Sequence, residues 1–84
     1  MTTKSVTISL SPSVVSSPIA KCVQLATQYA SKVYMEHDNR KVNAKSIMGM
    51  MALGVEQGKE IIVSAEGADE QKAVADIVSF LTQA

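Results

Sequence analysis

The sequence predicts an α+β fold in one domain, with elements in the order β-α-β-β-α-β-α and helices covering one face of a sheet. Three observations point to it. Polar and apolar residues alternate through Ser5–Leu10, Ser31–Glu36 and Glu60–Glu66, the period of a strand with one buried face. Apolar residues recur at helical spacing from Ile19 to Ala30 and from Ala73 to Leu81. Turn formers separate these runs, notably Ser11-Pro12-Ser13, Asp38-Asn39, Gly58 and Gly67.

Each element has a local reason. In the first strand Val6, Ile8 and Leu10 share a face, and Pro12 breaks the pattern. Val14-Val15-Ser16-Ser17 leads into the first helix, with a serine available as cap and Pro18 in the first turn, where its missing N–H costs little. Ile19, Cys22, Val23, Ala26, Tyr29 and Ala30 form the core face of that helix. The second strand, Ser31–Glu36, places Val33 and Met35 on one side. Asp38-Asn39 makes a tight hairpin, since both residues tolerate positive φ, and Arg40–Ala44 returns as a short third strand. A second helix follows Ser46 and ends at Gly54. Glu60–Glu66 is the last strand, with Ile61, Val63 and Ala65 on one face. Asp69 is placed to cap the last helix, whose apolar stripe is Ala73, Val74, Ile77, Val78 and Leu81.

Composition narrows the function. The chain is 46% hydrophobic and 19% charged over 84 residues, which reads as one small globular domain. Eight basic and eight acidic residues cancel, and three aromatics give no stacking platform, so direct nucleic-acid binding is not expected. The single Cys22 cannot close an internal disulfide, which fits a reducing cytoplasm. No apolar run approaches the ~20 residues that span a bilayer, and the first residues lack a signal-peptide pattern. No cluster of Cys, His, Asp and Glu has metal-ligand spacing, and no Gly-rich loop forms a phosphate cradle. No metal, cofactor or enzymatic activity is expected, and the protein is expected in the cytoplasm.

The informative stretch is Asn43-Ala-Lys-Ser-Ile-Met-Gly-Met-Met-Ala-Leu-Gly54. Ser46 is a good N-cap and Gly54 permits the positive φ that ends a helix. Between them, Ile47, Met48, Met50, Met51 and Leu53 cover nearly the whole circumference of two turns. A helix this short cannot bury them all, so one set faces the core and another stays at the surface. An exposed methionine patch suits docking, because the side chain adapts to its partner. A phosphoryl group on Ser46 would add about −2 charge at a helix start, where an anion is favoured, and would change the surface rather than the fold. From the residues alone, a plain cap and core methionines are the default.

Val42-Asn-Ala-Lys-Ser-Ile-Met-Gly49 with Leu53-Gly54, and Glu60-Ile-Ile-Val-Ser-Ala-Glu-Gly-Ala-Asp-Glu70 downstream, resemble segments of HPr, the family of small phosphocarriers of the bacterial sugar phosphotransferase system. The likeness runs the length of the chain without gaps. It implies an HPr-like open-faced sandwich, with a four-stranded antiparallel sheet covered on one face by three helices. Phosphocarrier members have a histidine and an arginine just before the proline that opens the first helix. The corresponding residues here are Val15 and Ser17, with Pro18 retained. Valine has no nucleophilic atom, and serine cannot supply the guanidinium fork that holds phosphate. His37 falls beside the hairpin, where an exposed turn-flanking residue is the default reading, and Cys22 falls on an apolar helix face, where it reads as a buried small residue. On this alignment ordinary phosphocarrier activity is excluded.

This combination is similar to the catabolite-repression branch of the family, Crh, which lacks the histidine and keeps a regulatory serine. The resemblance implies that Ser46 is phosphorylated by HPr kinase/phosphorylase. The phosphoprotein would then act as corepressor of a LacI-type catabolite control regulator. Lys45, Ile47, Met48 and Met51 would form the docking surface, with Val14, Val15 and Ser17 beside it. Two other readings stay open. One is a binding module that works through the same surface without phosphorylation and regulates a metabolic enzyme. The other is a degenerate phosphocarrier acting at Ser16 or His37.

Overall fold

A computed structural model describes residues 1–10 and 18–82 of the chain. Its elements are β1 (Thr2–Thr7), α1 (Pro18–Ala26), β2 (Lys32–His37), β3 (Arg40–Asn43), α2 (Ile47–Leu53), β4 (Glu60–Glu66) and α3 (Glu70–Leu81). The strands form one antiparallel sheet in the order β1-β4-β2-β3. The helices lie on one face: α3 packs on β1, β4 and β2, α2 packs on β3, and α1 packs on α2 and α3. This is the open-faced sandwich expected from the resemblance.

Side-chain alternation divides the sheet cleanly. Val6, Val33, Met35, Ile61, Val63 and Ala65 are buried, together with Cys22, Val23, Ala26, Ala73, Val74, Ile77 and Leu81 from α1 and α3. The opposite face carries Lys32, Tyr34, Glu36, Lys41 and Ile62. There Lys41 Nζ stands 4.8 Å from the centre of the Tyr34 ring, a cation–π contact between neighbouring strands.

β4 has the bounds its alternation predicts. The hairpin also follows expectation, since Asp38 and Asn39 adopt φ of 50° and 64°. β1 lies earlier than the Ser5–Leu10 run. Its ladder with β4 runs from Thr2 opposite Ala65 to Thr7 opposite Glu60. Beyond it, Ser9 N–H donates to Leu81 O at 2.8 Å, so the chain has turned towards α3. Ile8 and Leu10 are buried in the core as the alternation implies, although they lie beyond the ladder. Thr2, Thr3 and Lys4 carry no apolar signal, because in β1 only Val6 is buried.

α1 also stops sooner than its periodicity suggests. It ends at Ala26, Tyr29 remains buried in the turn that follows, and Ala30 is exposed. That turn explains Asp69. Asp69 does sit at the N-cap position of α3, but its side chain makes no capping bond. Its carboxylate instead accepts from Ala30 N–H and Ser31 N–H, each at 3.0 Å, and from the Ser31 hydroxyl. Two backbone donors left unpaired by the turn compete for the carboxylate and win. The Ser31 hydroxyl, then the Ala30 amide, hold the Asp69 carboxyl below its usual range. Gly67 is required at this joint. A Cβ there would stand 2.7 Å from Ser31 Cα, backbone that cannot yield.

Candidate functional site

The segment before α2 is shaped by its own side chains. Asn43 Oδ1 accepts from Lys45 N–H at 2.8 Å, and Ser46 N–H donates to Asn43 O at 3.0 Å. Ser46 then takes extended backbone angles (φ −102°, ψ 118°), and its Oγ accepts from Gly49 N–H at 3.2 Å. Ser46 is the N-cap that the sequence predicts. That bond uses an oxygen lone pair and leaves the hydroxyl hydrogen uncommitted by the cap. Ser46 is half-buried, at the rim of the apolar surface that α2 presents.

α2 splits its apolar residues between two faces. Met50 and Leu53 are buried. Ile47, Met48 and Met51 are 50%, 82% and 64% exposed, and with Met1 and Ile62 they are the exposed large hydrophobics of the described residues. Three of the five therefore come from one seven-residue helix. Of the residues that the resemblance singled out, Ile47, Met48 and Met51 are exposed on this one helix.

The C-terminal end of α2 is fastened by cations from elsewhere in the chain. Arg40 Nη1 donates to Ala52 O at 3.1 Å, and Lys59 Nζ donates to Leu53 O at 2.8 Å. Gly54 takes φ of 82°, and its N–H closes on Met50 O at 2.8 Å. With terminal carbonyls engaged by positive groups, the end of the helix dipole is also balanced. The helix is held at both ends while Ile47, Met48 and Met51 stay exposed among the described residues.

Lys45 is placed differently from the sequence expectation of a residue standing beside the patch. It is half-buried, and its Nζ donates to Tyr29 O at 2.7 Å, tying the Ser46 segment to the turn after α1. Behind that turn the Tyr29 hydroxyl donates to Asp76 of α3. Burial, followed by the Asp76 bond, pushes the Tyr29 phenol up to about 12, so it is protonated at any physiological pH.

Sequence reasoning missed the second wall of the site. Pro18, Ile19 and Ala20 of α1 face Ile47 and Met51 of α2 across an open apolar groove of about 340 Å³. Ile19 was assigned to the core by its spacing, yet it is only partly buried and lines the groove. The exposure of Ala20 beside Pro18 carried no sequence signal, because alanine suits core and surface alike. Val14, Val15, Ser16 and Ser17 lie outside the described residues.

Comparison with known proteins decides the family. A model described as "PTS HPr component phosphorylation site" matches residues 2–83. The chain belongs to the HPr family. Within that family it is similar to the HPr-like protein Crh of Halalkalibacterium halodurans, at 40% identity over 96% of each chain. It is also similar to Crh of Bacillus subtilis, at 44% identity over 79% of this chain and 78% of the relative. The solved HPr from Thermoanaerobacter tengcongensis, with 42% identity, superposes with a TM-score of 0.87 over 96% of this chain and 91% of its own. This chain is a Crh-like member that shares the HPr fold.

The other candidate groups are committed elsewhere. His37 ends β2. Its Nδ1–H donates to Glu60 O at 2.9 Å, and its Nε2 lies 3.3 Å from Asp38 Oδ2. Cys22 is fully buried, and burial pushes its thiol up to about 12, which removes the thiolate needed for nucleophilic chemistry. Among the described residues no three His, Cys, Asp or Glu side chains could together hold a metal ion. No helix among them is long and apolar enough to cross a membrane.

Proposed function

We propose that this protein is a cytoplasmic, non-phosphocarrier regulatory HPr that is phosphorylated on Ser46 by HPr kinase/phosphorylase. The phosphoprotein then binds a LacI-type catabolite control regulator as corepressor in carbon catabolite repression. The observation that carries this reading is the placement of Ser46 at the rim of an exposed Ile47, Met48 and Met51 surface, in a chain where the family resemblance puts Val15 at the carrier position. A dianion at the cap supplies a charge for a basic pocket, and the neighbouring aliphatic groups supply burial. The curated relatives named Crh support the choice of this branch over a phosphocarrier.

Val14, Val15 and Ser17 extend the same docking surface in this reading. Ser17 replaces the arginine that would assist docking, so Ser17→Arg should strengthen regulator binding by the phosphoprotein. The decisive experiment is incubation with HPr kinase/phosphorylase and ATP, followed by phosphosite mapping, with Ser46→Ala as control. Phosphate on Ser46 and phosphate-dependent regulator binding in a titration support the function; absence of phosphate removes it. The groove between α1 and α2 is lined by the uncharged Pro18, Ile19, Ala20, Ile47 and Met51, which favours a serine-independent binding module as the second reading. A Ser46→Ala variant that retains its partners in a pull-down would select that module.

A further inference from the structure

We propose that Met48 and Met51 form a peroxide-sensitive modification site, at which oxidation to sulfoxides strips the α2 face of its apolar character. The consequence for partner binding rests on the function proposed above; the site itself does not. The two thioethers stand three residues apart on the outer face of α2, 82% and 64% exposed. Met35 and Met50 are 0% exposed in the same core, so the molecule carries its own internal control. Met1 is also exposed, but its amine pairs with Glu70 at the start of α3, at 3.1 Å.

The chemistry needs only an approach path to sulfur. A sulfur lone pair attacks one oxygen of hydrogen peroxide, the S–O bond forms as the O–O bond breaks, and the departing oxygen leaves as water after proton transfer. Sulfur loses two electrons and the peroxide gains them. Thiol-dependent methionine sulfoxide reductases reverse the change. Exposure therefore sets the order of reaction, with Met48 and Met51 ahead of Met35 and Met50.

The structure makes the product costly at this place. Met51 lines a groove whose other walls are Pro18, Ile19, Ala20 and Ile47, all without a side-chain donor. A partner seated there would bury the new sulfoxide oxygen with no side-chain hydrogen bond from these lining residues, the expensive outcome for a polar group. Met48 and Met51 contribute nothing to the buried core, so oxidation alters the surface and leaves the fold standing.

The test is a hydrogen peroxide time course on the intact protein, read by peptide mapping. Retention of the native protein on a hydrophobic-interaction column is followed alongside. Met48 and Met51 should gain oxygen at least about tenfold faster than Met35 and Met50. Retention should fall with their oxidation, recover with methionine sulfoxide reductases, and fall far less in an M48L/M51L variant, where Met1 is the exposed methionine that remains. The Ser46-phosphorylated protein should lose about tenfold in affinity for the catabolite control regulator on the same oxidation. Equal oxidation of buried and exposed methionines would overturn the proposal, as would oxidised Met48 and Met51 with undiminished retention. If the unoxidised phosphoprotein fails to bind the regulator, the proposed function fails, while mapping and retention still decide the site.

Discussion

α2 and α3 belong to the same helical layer and use their apolar residues in opposite ways. α3 is twelve residues long and buries Ala73, Val74, Ile77 and Leu81 against the sheet. α2 is seven residues long, buries Met50 and Leu53, and leaves Ile47, Met48 and Met51 outside. A helix so short does not persist through its own propensity. It is held by Ser46 at one end, by Arg40, Lys59 and Gly54 at the other, and by two core side chains in between. Such fastening leaves its outer face free of structural duty. One helix makes the core, and the other displays a surface.

The sharpest way to break this contrast is to truncate α3. Ile77 is fully buried, and Ile77→Ala should destabilise the protein by about 3 kcal/mol through lost burial and the cavity left behind. Urea denaturation would read it as a lowered midpoint with little change in slope. A loss below about 1 kcal/mol would mean that α3 is not the organising helix.

Acid should divide the two helices next. Glu70 of α3 accepts from the Thr2 hydroxyl at 2.6 Å and from Gly67 N–H at 3.2 Å, and these bonds, the hydroxyl first, bring its carboxyl down to about 2. Asp69 is lowered by the Ser31 hydroxyl and Asp76 by the Tyr29 hydroxyl. Each group is easier to ionise folded than unfolded. Its stabilisation is therefore complete above the ordinary carboxylate range and is lost as pH falls through the folded value. For Glu70 the window runs from 4.5 down to about 2. α2 has no acidic residue in its first turn, so amide exchange on acidification should loosen the β4–α3 joint and the turn after α1 before α2. Asp69→Asn presents an amide to two backbone donors, and it should lower stability at neutral pH and flatten the acid slope. An unchanged slope would remove Asp69 as the fastening.

How much of this was legible in the sequence depends on the range of each interaction. The i,i+3 spacing of α2 pairs Met50 with Leu53 and sets Met48 and Met51 apart, as observed, but it also groups Ile47 with Met50, and Ile47, in the first turn, is half exposed. The Ser46 cap, the Asp38-Asn39 turn and the Gly54 terminus follow from local backbone chemistry. Asp69 was misread because its partners, Ala30 and Ser31, come from a turn almost forty residues earlier, roughly the separation that no window of local pattern covers. Lys45 was assigned to the surface because its acceptor is a backbone carbonyl, that of Tyr29, which leaves no mark in side-chain pattern. The groove was half-seen for the same reason: Ile47 and Met51 announce themselves, while Pro18 and Ala20 become a wall only when α1 is laid beside α2.

A smaller effect is expected at Ser46 itself. Removing the cap in Ser46→Ala orphans Gly49 N–H and should cost about 1 kcal/mol. Ser46→Asp restores an acceptor that caps as well as serine and should recover most of that stability. Thermal melts of the three proteins separate the two duties of this residue. If alanine and aspartate are equally destabilised, the cap is not what holds α2. If aspartate restores stability without permitting regulator binding, the fold needs only an acceptor at this position, while partner recognition needs the full dianion and geometry of a phosphoryl group.

The smallest stability change should come from the most conspicuous residue. Met51→Gln replaces an exposed thioether with a polar side chain of similar length and helix propensity, outside the core cluster. Its unfolding free energy should stay within about 0.5 kcal/mol of wild type. Docking should suffer, because the amide enters a groove bounded by Pro18, Ile19, Ala20 and Ile47, none of which offers it a side-chain partner. Paired urea melts and regulator titrations on this one variant test the contrast between the helices at its finest. Lost binding with stability intact identifies α2 as a display surface. Lost stability with binding intact would place Met51 with Met50, in the structural layer, and erase the difference between the helices.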